Sequence, residues 1–386
     1  MTQECNVGIL TLTQSENYGT VLQAYATHHL LNSEPSSAAF SLVPTDVSSV
    51  RRRRVLSLLN PRNPSSGTAR IRNFLAMRKF IEPYVYAPGR SWVDISNREA
   101  AVELLDARFD GFVTGSDEVW NLAFVGDKSI YYAPASMGQV RASFATSANR
   151  LDISKLTGNE RDTLRRSLES YSLITVRDSN TRQFVEDLLG GGIDVEEVVD
   201  PTLIHGLSDF VRVHRTAERS GRRRILMMVK DRAVGERLIS RMGSTVEIDS
   251  IFVRYPGTRY LVADPAEFVG AFGAYDCVVT DFFHATCMSV LSKSPFVSFD
   301  SEPLYAVYES KISNLLAKLG LLDRYVNLAD HRAESSYRRL FDAIEGMLAG
   351  PPVWTADAAL ESERNRGLAV AQRIRATMRE GLASAR

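Results

Sequence analysis

His284 is the residue best suited to proton transfer, standing in the run Thr280-Asp281-Phe282-Phe283-His284-Ala285-Thr286. A β-rich run at 277–280 precedes it and helical spacing follows. It therefore falls where a parallel strand hands over to a helix, the edge at which open α/β sheets bind ligands. Histidine as a residue type titrates near neutral pH, and a positioned acid of that kind contributes roughly 10²–10⁴ in rate. The plainer reading is a capping or core histidine. Asp281 would orient His284 or accept a proton, or else cap the helix. Arg177 ends another β-rich run at 173–176, where a guanidinium can grip phosphate or carboxylate bidentately or pair with adjacent Asp178.

Two polar loops have similar positions. Asn17, Tyr18, Gly19 and Gln23 lie on the first strand-to-helix loop, with Gly19 allowing close backbone approach to a ligand. Ser116 and Asp117, following Gly115 and leading to Trp120, read as a sugar site because an indole face can stack on a pyranose. The competing reading of Trp120 is a core tryptophan. Asp200-Pro201 reads as a shaping turn.

To hold such residues the chain must supply two sets of alternating strands and helices. The pattern predicts strands at 7–13, 109–114, 140–146 and 173–176, with helices at 20–31, 69–81 and 159–171. Prolines 35, 44, 61 and 64 with Gly67 make 35–70 read as loop. A second set follows Asp200: strands at 224–229, 248–253, 277–280 and 295–298, with helices at 233–242, 265–271 and 284–291. Such alternation gives parallel sheets with right-handed crossovers. The expected class is α/β, with two Rossmann-like domains facing across a cleft. The expected divisions are 1–205, 206–350 and a C-terminal part 351–386. The helix predicted over 356–383 either packs on its own domain or crosses back to the first.

Composition sets limits on partners. Lys plus Arg and Asp plus Glu are equal at 46 each, so the chain lacks the basic excess of a nucleic-acid binder. Three cysteines and six histidines show no disulfide framework or metal-ligand spacing, so no metal and no cofactor are expected. The first ten residues lack a basic-then-apolar leader, and no apolar run approaches about 18 residues, so a cytoplasmic chain is expected. Nothing in the sequence speaks to oligomeric state. Between 51 and 79 lie nine basic and no acidic residues. That stretch is either a solvated loop or a patch for an anionic membrane or a pyrophosphate-linked acceptor.

The order of the motifs carries more than any single one. Asn17-Tyr18-Gly19-Thr20-Val21-Leu22-Gln23-Ala24-Tyr25-Ala26 is followed by Gly115-Ser116-Asp117-Glu118-Val119-Trp120-Asn121 and Thr175-Val176-Arg177-Asp178. Then come Val199-Asp200-Pro201-Thr202-Leu203, Tyr255-Pro256-Gly257 and the run 280–286 around His284. The series, over about residues 7–325, resembles the polysaccharide pyruvyl transferase family. The resemblance implies a glycosyltransferase-B-like fold, phosphoenolpyruvate as donor substrate, and a glycan, nucleotide-sugar or lipid-linked sugar as acceptor. It implies an enzyme that forms a pyruvate ketal, with His284 as the acid and Arg177 on the donor. Lys311 stands where the family carries an arginine, so it too is a candidate donor contact. Phe282 replaces serine or arginine, and Ala285 replaces glycine. Those departures leave two other readings open: group transfer from a nucleotide-activated donor, or a non-catalytic binding scaffold.

Overall fold

A computed structural model of the chain describes residues 5–13, 15, 17–34, 38–46, 64–86, 93–95, 97–122, 130–211, 221–302, 309–328 and 334–384. The chain divides into two units, Met1–His205 with Glu363–Arg386, and Gly206–Ser362.

The first unit contains β1 (Cys5–Leu10), α1 (Tyr18–Leu31), β2 (Ala38–Leu42), β3 (Thr45–Asp46), α2 (Pro64–Ile81), β4 (Val93–Asp94) and α3 (Arg98–Asp106). It continues through β5 (Gly111–Thr114), β6 (Val140–Ser143), α4 (Gly158–Glu169), β7 (Ile174–Val176), α5 (Ser179–Leu189), β8 (Val195–Glu197) and α6 (Pro201–His205). Its main sheet has the order β2-β1-β5-β6, all parallel. Parallel bridges Ala142 to Leu173 and Thr146 to Val176 carry the pairing on to β7 and β8. Strand side chains such as Val7, Ile9, Phe112 and Val113 are wholly buried, as expected of a parallel sheet covered on both faces. Helix starts follow local chemistry. Thr157 and Glu160 form a capping box at α4, and the Asp178 carboxylate accepts the Thr181 amide at α5.

The second unit contains α7 (Ser208–Val211), β9 (Arg224–Met228), α8 (Arg232–Met242), β10 (Glu247–Ile251), β11 (Arg259–Leu261), α9 (Pro265–Ala271) and β12 (Cys277–Thr280). Then follow α10 (Phe283–Leu291), β13 (Phe296–Asp300), α11 (Lys311–Lys318), β14 (Tyr325–Asn327) and α12 (Glu334–Ala349). Six parallel strands are ordered β11-β10-β9-β12-β13-β14. Strand order reverses between β1 and β5 in the first unit and between β9 and β12 in the second. Loops leaving those strands at their carboxyl ends are where an open α/β sheet leaves room for a ligand.

The long α13 (Asp357–Ser384) begins in the second unit and ends in the first, so its last 22 residues cross back. There Arg375 donates to the Leu30 carbonyl at 2.8 Å and to Ser33 Oγ at 2.9 Å. Among the described residues no helix is long and apolar enough to cross a membrane.

Two expectations for 35–70 are corrected. β2 lies within the stretch read as loop, because its prolines flank the strand and do not interrupt it. α2 begins at Pro64, not 69: proline lacks an N–H that the first helical turn leaves unpaired anyway. Arg51 to Arg62 lie outside the described residues.

Tyr255 braces the loop after β9, donating its hydroxyl to the carbonyls of Val229 at 3.0 Å and Asp231 at 3.2 Å. Its ring fills the space a side chain at Gly235 would need. Gly235→Ala should therefore lower stability by about 1–3 kcal/mol through overpacking. Chemical denaturation of the two proteins checks this, and an unchanged midpoint would refute the packing argument.

His28 and His29 on α1 pack among Tyr25, Tyr84 and each other at ring separations of 4.2–5.5 Å. Burial, then the charge of His29, pushes the His28 imidazole down to about 4. Because the unfolded chain then binds more protons between that value and 6.5, stability should fall as pH drops through this window. Melting temperatures of wild type and His28→Phe should differ in slope between pH 7 and 4, the variant being shallower. Parallel slopes would show that His28 does not titrate in this way.

Candidate functional site

At the carboxyl edge of the first unit, the predicted residues mostly bond one another. Asn17 caps α1, its Oδ1 accepting the Gly19 amide at 3.0 Å. Tyr18, Gly19 and Gln23 are buried in that helix. Gln23 Nε2 donates to Thr11 Oγ1 and to the Thr20 carbonyl, both at 2.9 Å. Thr11 Oγ1 donates to the Ser116 carbonyl at 3.0 Å, and Thr20 Oγ1 to Asp117 Oδ2 at 2.9 Å. The loops after β1 and β5 are thus sewn together at the switch point. Asp117 sits at φ +77°, a conformation costing a non-glycine residue on the order of 1–3 kcal/mol. The Thr20 hydroxyl and the Glu118 amide, which donates to Asp117 Oδ1 at 2.9 Å, hold it there.

Arg177 ends β7 beneath this web. Its Nη1 donates to Asp200 Oδ2 at 2.8 Å, and its Nη2 lies 3.9 Å from Asp117 Oδ1. Side-chain exposure is 1% for Arg177 and nil for Asp200. Burial alone would lower the Arg177 pKa, but Asp200, then Asp117 and Asp178, hold it above its ordinary value. Asp200 is further bound by Ser116 Oγ at 3.3 Å and by the Thr202 amide and hydroxyl. Arg177, expected on the donor, is thus a buried cation with Asp200 bonded to one nitrogen and Asp117 near another. Asp178 serves α5, bonding Thr181 and Ser147.

Trp120 is also corrected. It is fully buried, Tyr132 covers its face at 5.5 Å and 13°, and its indole N–H donates to the Tyr131 carbonyl. No face remains for a sugar. Ser116 and Gln23 are likewise fully buried; Ser116 Oγ and Gln23 Nε2 bond loop groups, while Gln23 Oε1 has no hydrogen-bond partner among the described residues.

The carboxyl edge of the second unit is built differently. Asp281, straight after β12, accepts the Lys230 amide at 2.8 Å and the Asp231 amide at 3.1 Å. It therefore ties the loop after β9 to that after β12, and neither orients His284 nor caps α10; Phe282 is the N-cap, with no side-chain cap bond. Burial pushes the Asp281 carboxyl up to about 7, against the pull of the Lys230 amide and charge. His284 is the second residue of α10 and is 7% exposed. Its ring lies 5.4 Å from that of Phe283, over which Lys311 Nζ sits at 5.7 Å. The structure thus brings His284 and Lys311 to one ring.

Lys311 opens α11, whose N-cap Ser310 accepts the Ile312 and Ser313 amides at 3.1 and 2.9 Å. Asp300, at the end of β13, accepts the Tyr325 hydroxyl at 3.0 Å. Burial raises the Asp300 pKa, while Ser310, Tyr325, Lys230 and Lys311 oppose that rise. Lys230, whose Nζ is 3.2 Å from Glu302, was not singled out from sequence. Its place directly after the 224–229 run is the signal that could have found it. Half-buried Phe282 packs edge-on at 5.3 Å against Phe252, a residue held at φ +67°. The edge therefore combines imidazole, two ammonium groups and a helix N-terminus, a set suited to a small anion that must be protonated.

Residues 17–303 match the family model described as polysaccharide pyruvyl transferase. No curated protein matches the chain. Among solved structures, UDP-N-acetylglucosamine 2-epimerase from Rickettsia bellii is similar at TM-score 0.58 and 10% identity, covering 99% of this chain and 98% of that one. The Methanocaldococcus jannaschii UDP-GlcNAc 2-epimerase, in complex with UDP-GlcNAc and UDP, gives 0.52 and 11%, covering 96% and 99%. At such identity these likenesses show the fold alone, a glycosyltransferase-B-like pair of α/β units.

Arg177→Met would leave Asp200 buried and unpaired, so it should cost about 3–5 kcal/mol in urea denaturation. A variant of unchanged stability that lost affinity for phosphoenolpyruvate would instead restore the donor-binding role.

Proposed function

The chain belongs to the polysaccharide pyruvyl transferase family, and from that membership we propose that it transfers the enolpyruvyl unit of phosphoenolpyruvate to a sugar hydroxyl, forming a pyruvate ketal. One observation supports this reading above the others. His284 stands in the first turn of α10 at the switch point of the second unit, with the Lys311 ammonium across the ring of Phe283.

The reaction asks for a proton and for charge. His284 in its protonated form gives a proton to the methylene carbon C3, leaving positive charge at C2. A sugar hydroxyl oxygen bonds to C2 as its proton returns to the His284 imidazole. The C2–O bond to phosphate then breaks with the electron pair on phosphate, leaving C2 cationic again. The second hydroxyl oxygen of the acceptor bonds to C2 as its proton passes to the departing phosphate, closing the ketal. Lys311 and Lys230 supply positive charge for the phosphate and carboxylate of the donor, and the amides of the α10 N-terminus add theirs. A lysine gives point charge without the bidentate fork of arginine, so orientation falls more heavily on the helix amides. Asp281 and Tyr255 act through the backbone, fixing the loop that carries Lys230. The acceptor is a glycan or glycan precursor, and the compartment we assign is the cytoplasm.

A second reading is favoured by the half-buried ring pair Phe252 and Phe282 on the same edge. Such a wall suits a flat ring, and would fit a nucleotide-activated donor.

Calorimetric titration and turnover discriminate. Phosphoenolpyruvate should bind wild type, and Lys311→Met should bind it at least about fivefold more weakly, the loss of one charge-assisted contact. His284→Gln should retain binding but lose roughly 10²–10⁴ in rate of phosphate release with acceptor present. Binding of a nucleotide sugar but not of phosphoenolpyruvate would overturn the first reading in favour of the second. Binding of neither would favour a non-catalytic scaffold.

A further inference from the structure

The outward face of α2 takes no part in either carboxyl edge, yet its composition is unlike a plain solvated helix. Asn73, Met77 and Ile81 are buried and hold the helix to its unit. Ile71 and Leu75 are exposed, at 36% and 55%, and so are Arg72, Arg78 and Lys79. At about 100° per residue, Arg78, Ile71, Leu75, Lys79 and Arg72 follow one another round an arc of about 120°. Its centre lies opposite the buried side. Two apolar side chains therefore stand between cations on both flanks of one helical face.

The charge of the surrounding sequence reinforces the pattern. From residue 51 to residue 81 there are nine basic side chains and no acidic one, in a chain whose formal net charge is zero. A solvated helix in a neutral protein ordinarily mixes both signs, and an apolar pair at i and i+4 in solvent costs solubility without a partner. Cations flanking an apolar stripe match a surface that is anionic outside and apolar just beneath. Lysine and arginine stems lie along such a surface while their heads stay among the phosphates.

We propose that this face of α2 docks on an anionic lipid bilayer, with Ile71 and Leu75 entering the interface and Arg72, Arg78 and Lys79 pairing with lipid phosphates. The helix lies flat on the surface and does not span it. An acidic soluble protein could meet the cations but has no need of the apolar pair, and a second copy of the chain would set like charges against each other. The proposal is independent of the donor chemistry, because no α2 residue belongs to the carboxyl edges.

Co-sedimentation of the full chain with vesicles tests it. Wild type should pellet with phosphatidylcholine vesicles containing phosphatidylglycerol, stay in solution with phosphatidylcholine alone, and be released by salt. Each cation contributes about fivefold to partitioning, so Arg72→Glu with Lys79→Glu should weaken it at least about tenfold. Leu75→Asp should weaken it by a similar factor. All these positions are exposed, so melting temperatures should be unchanged, and the charge pair and the apolar variant check each other should one of them fold poorly. Equal pelleting of all three proteins, binding to phosphatidylcholine alone, or a dimer in light scattering that Leu75→Asp dissociates would overturn the proposal.

Discussion

A guanidinium taken out of water must bring its counter-charges with it, and Arg177 brings two. Asp200 meets it at 2.8 Å and Asp117 at 3.9 Å, and each carboxylate belongs to a different loop at the carboxyl edge of the first sheet. In that setting the pair is worth less as a source of stability than as a demand on geometry, since leaving either partner alone would strand a buried charge. The demand propagates. Asp117 adopts a left-handed backbone to present its carboxylate, Thr20 reaches from α1 to bond it, and Ser116 and Thr202 complete Asp200. Loops from β1, β5 and β7 are fixed relative to one another by one buried cation.

At its own carboxyl edge the second unit joins the corresponding loops through backbone groups. Asp281 accepts two backbone amides from the loop after β9, and Tyr255 donates to two carbonyls of that loop. Because backbone groups serve as the partners, the side chain of Lys230 extends instead to Glu302 at 3.2 Å. The difference explains a division of labour. Several polar motif residues of the first unit hold its loops through side-chain bonds. Those of the second unit set the His284 imidazole and the Lys311 ammonium about the ring of Phe283, the arrangement on which the proposed chemistry rests.

Much of the architecture was legible in the residues themselves. Period-two and period-3.6 patterns gave the strands and helices that build both switch points, and the order of six short motifs identified the family. The pattern failed where proline was read as a breaker without regard to which end of an element it occupied, hiding β2 and the start of α2. It also passed over α5, α11 and α12, whose apolar positions are interleaved with charges.

Residue type and spacing determined that Arg177, Asp117, Asp281 and His284 would stand at or near the carboxyl ends of parallel strands, because strand length and turn position are local properties of a chain. Which of them would be buried against one another was settled only by tertiary structure. Burial and partner distance are set by residues far apart in sequence: Asp200 lies 23 positions from Arg177, and Asp281 lies 51 from Lys230. A motif records that a charge is needed at an edge. The depth at which the fold places it decides whether that charge meets another buried one or remains where a substrate can use it.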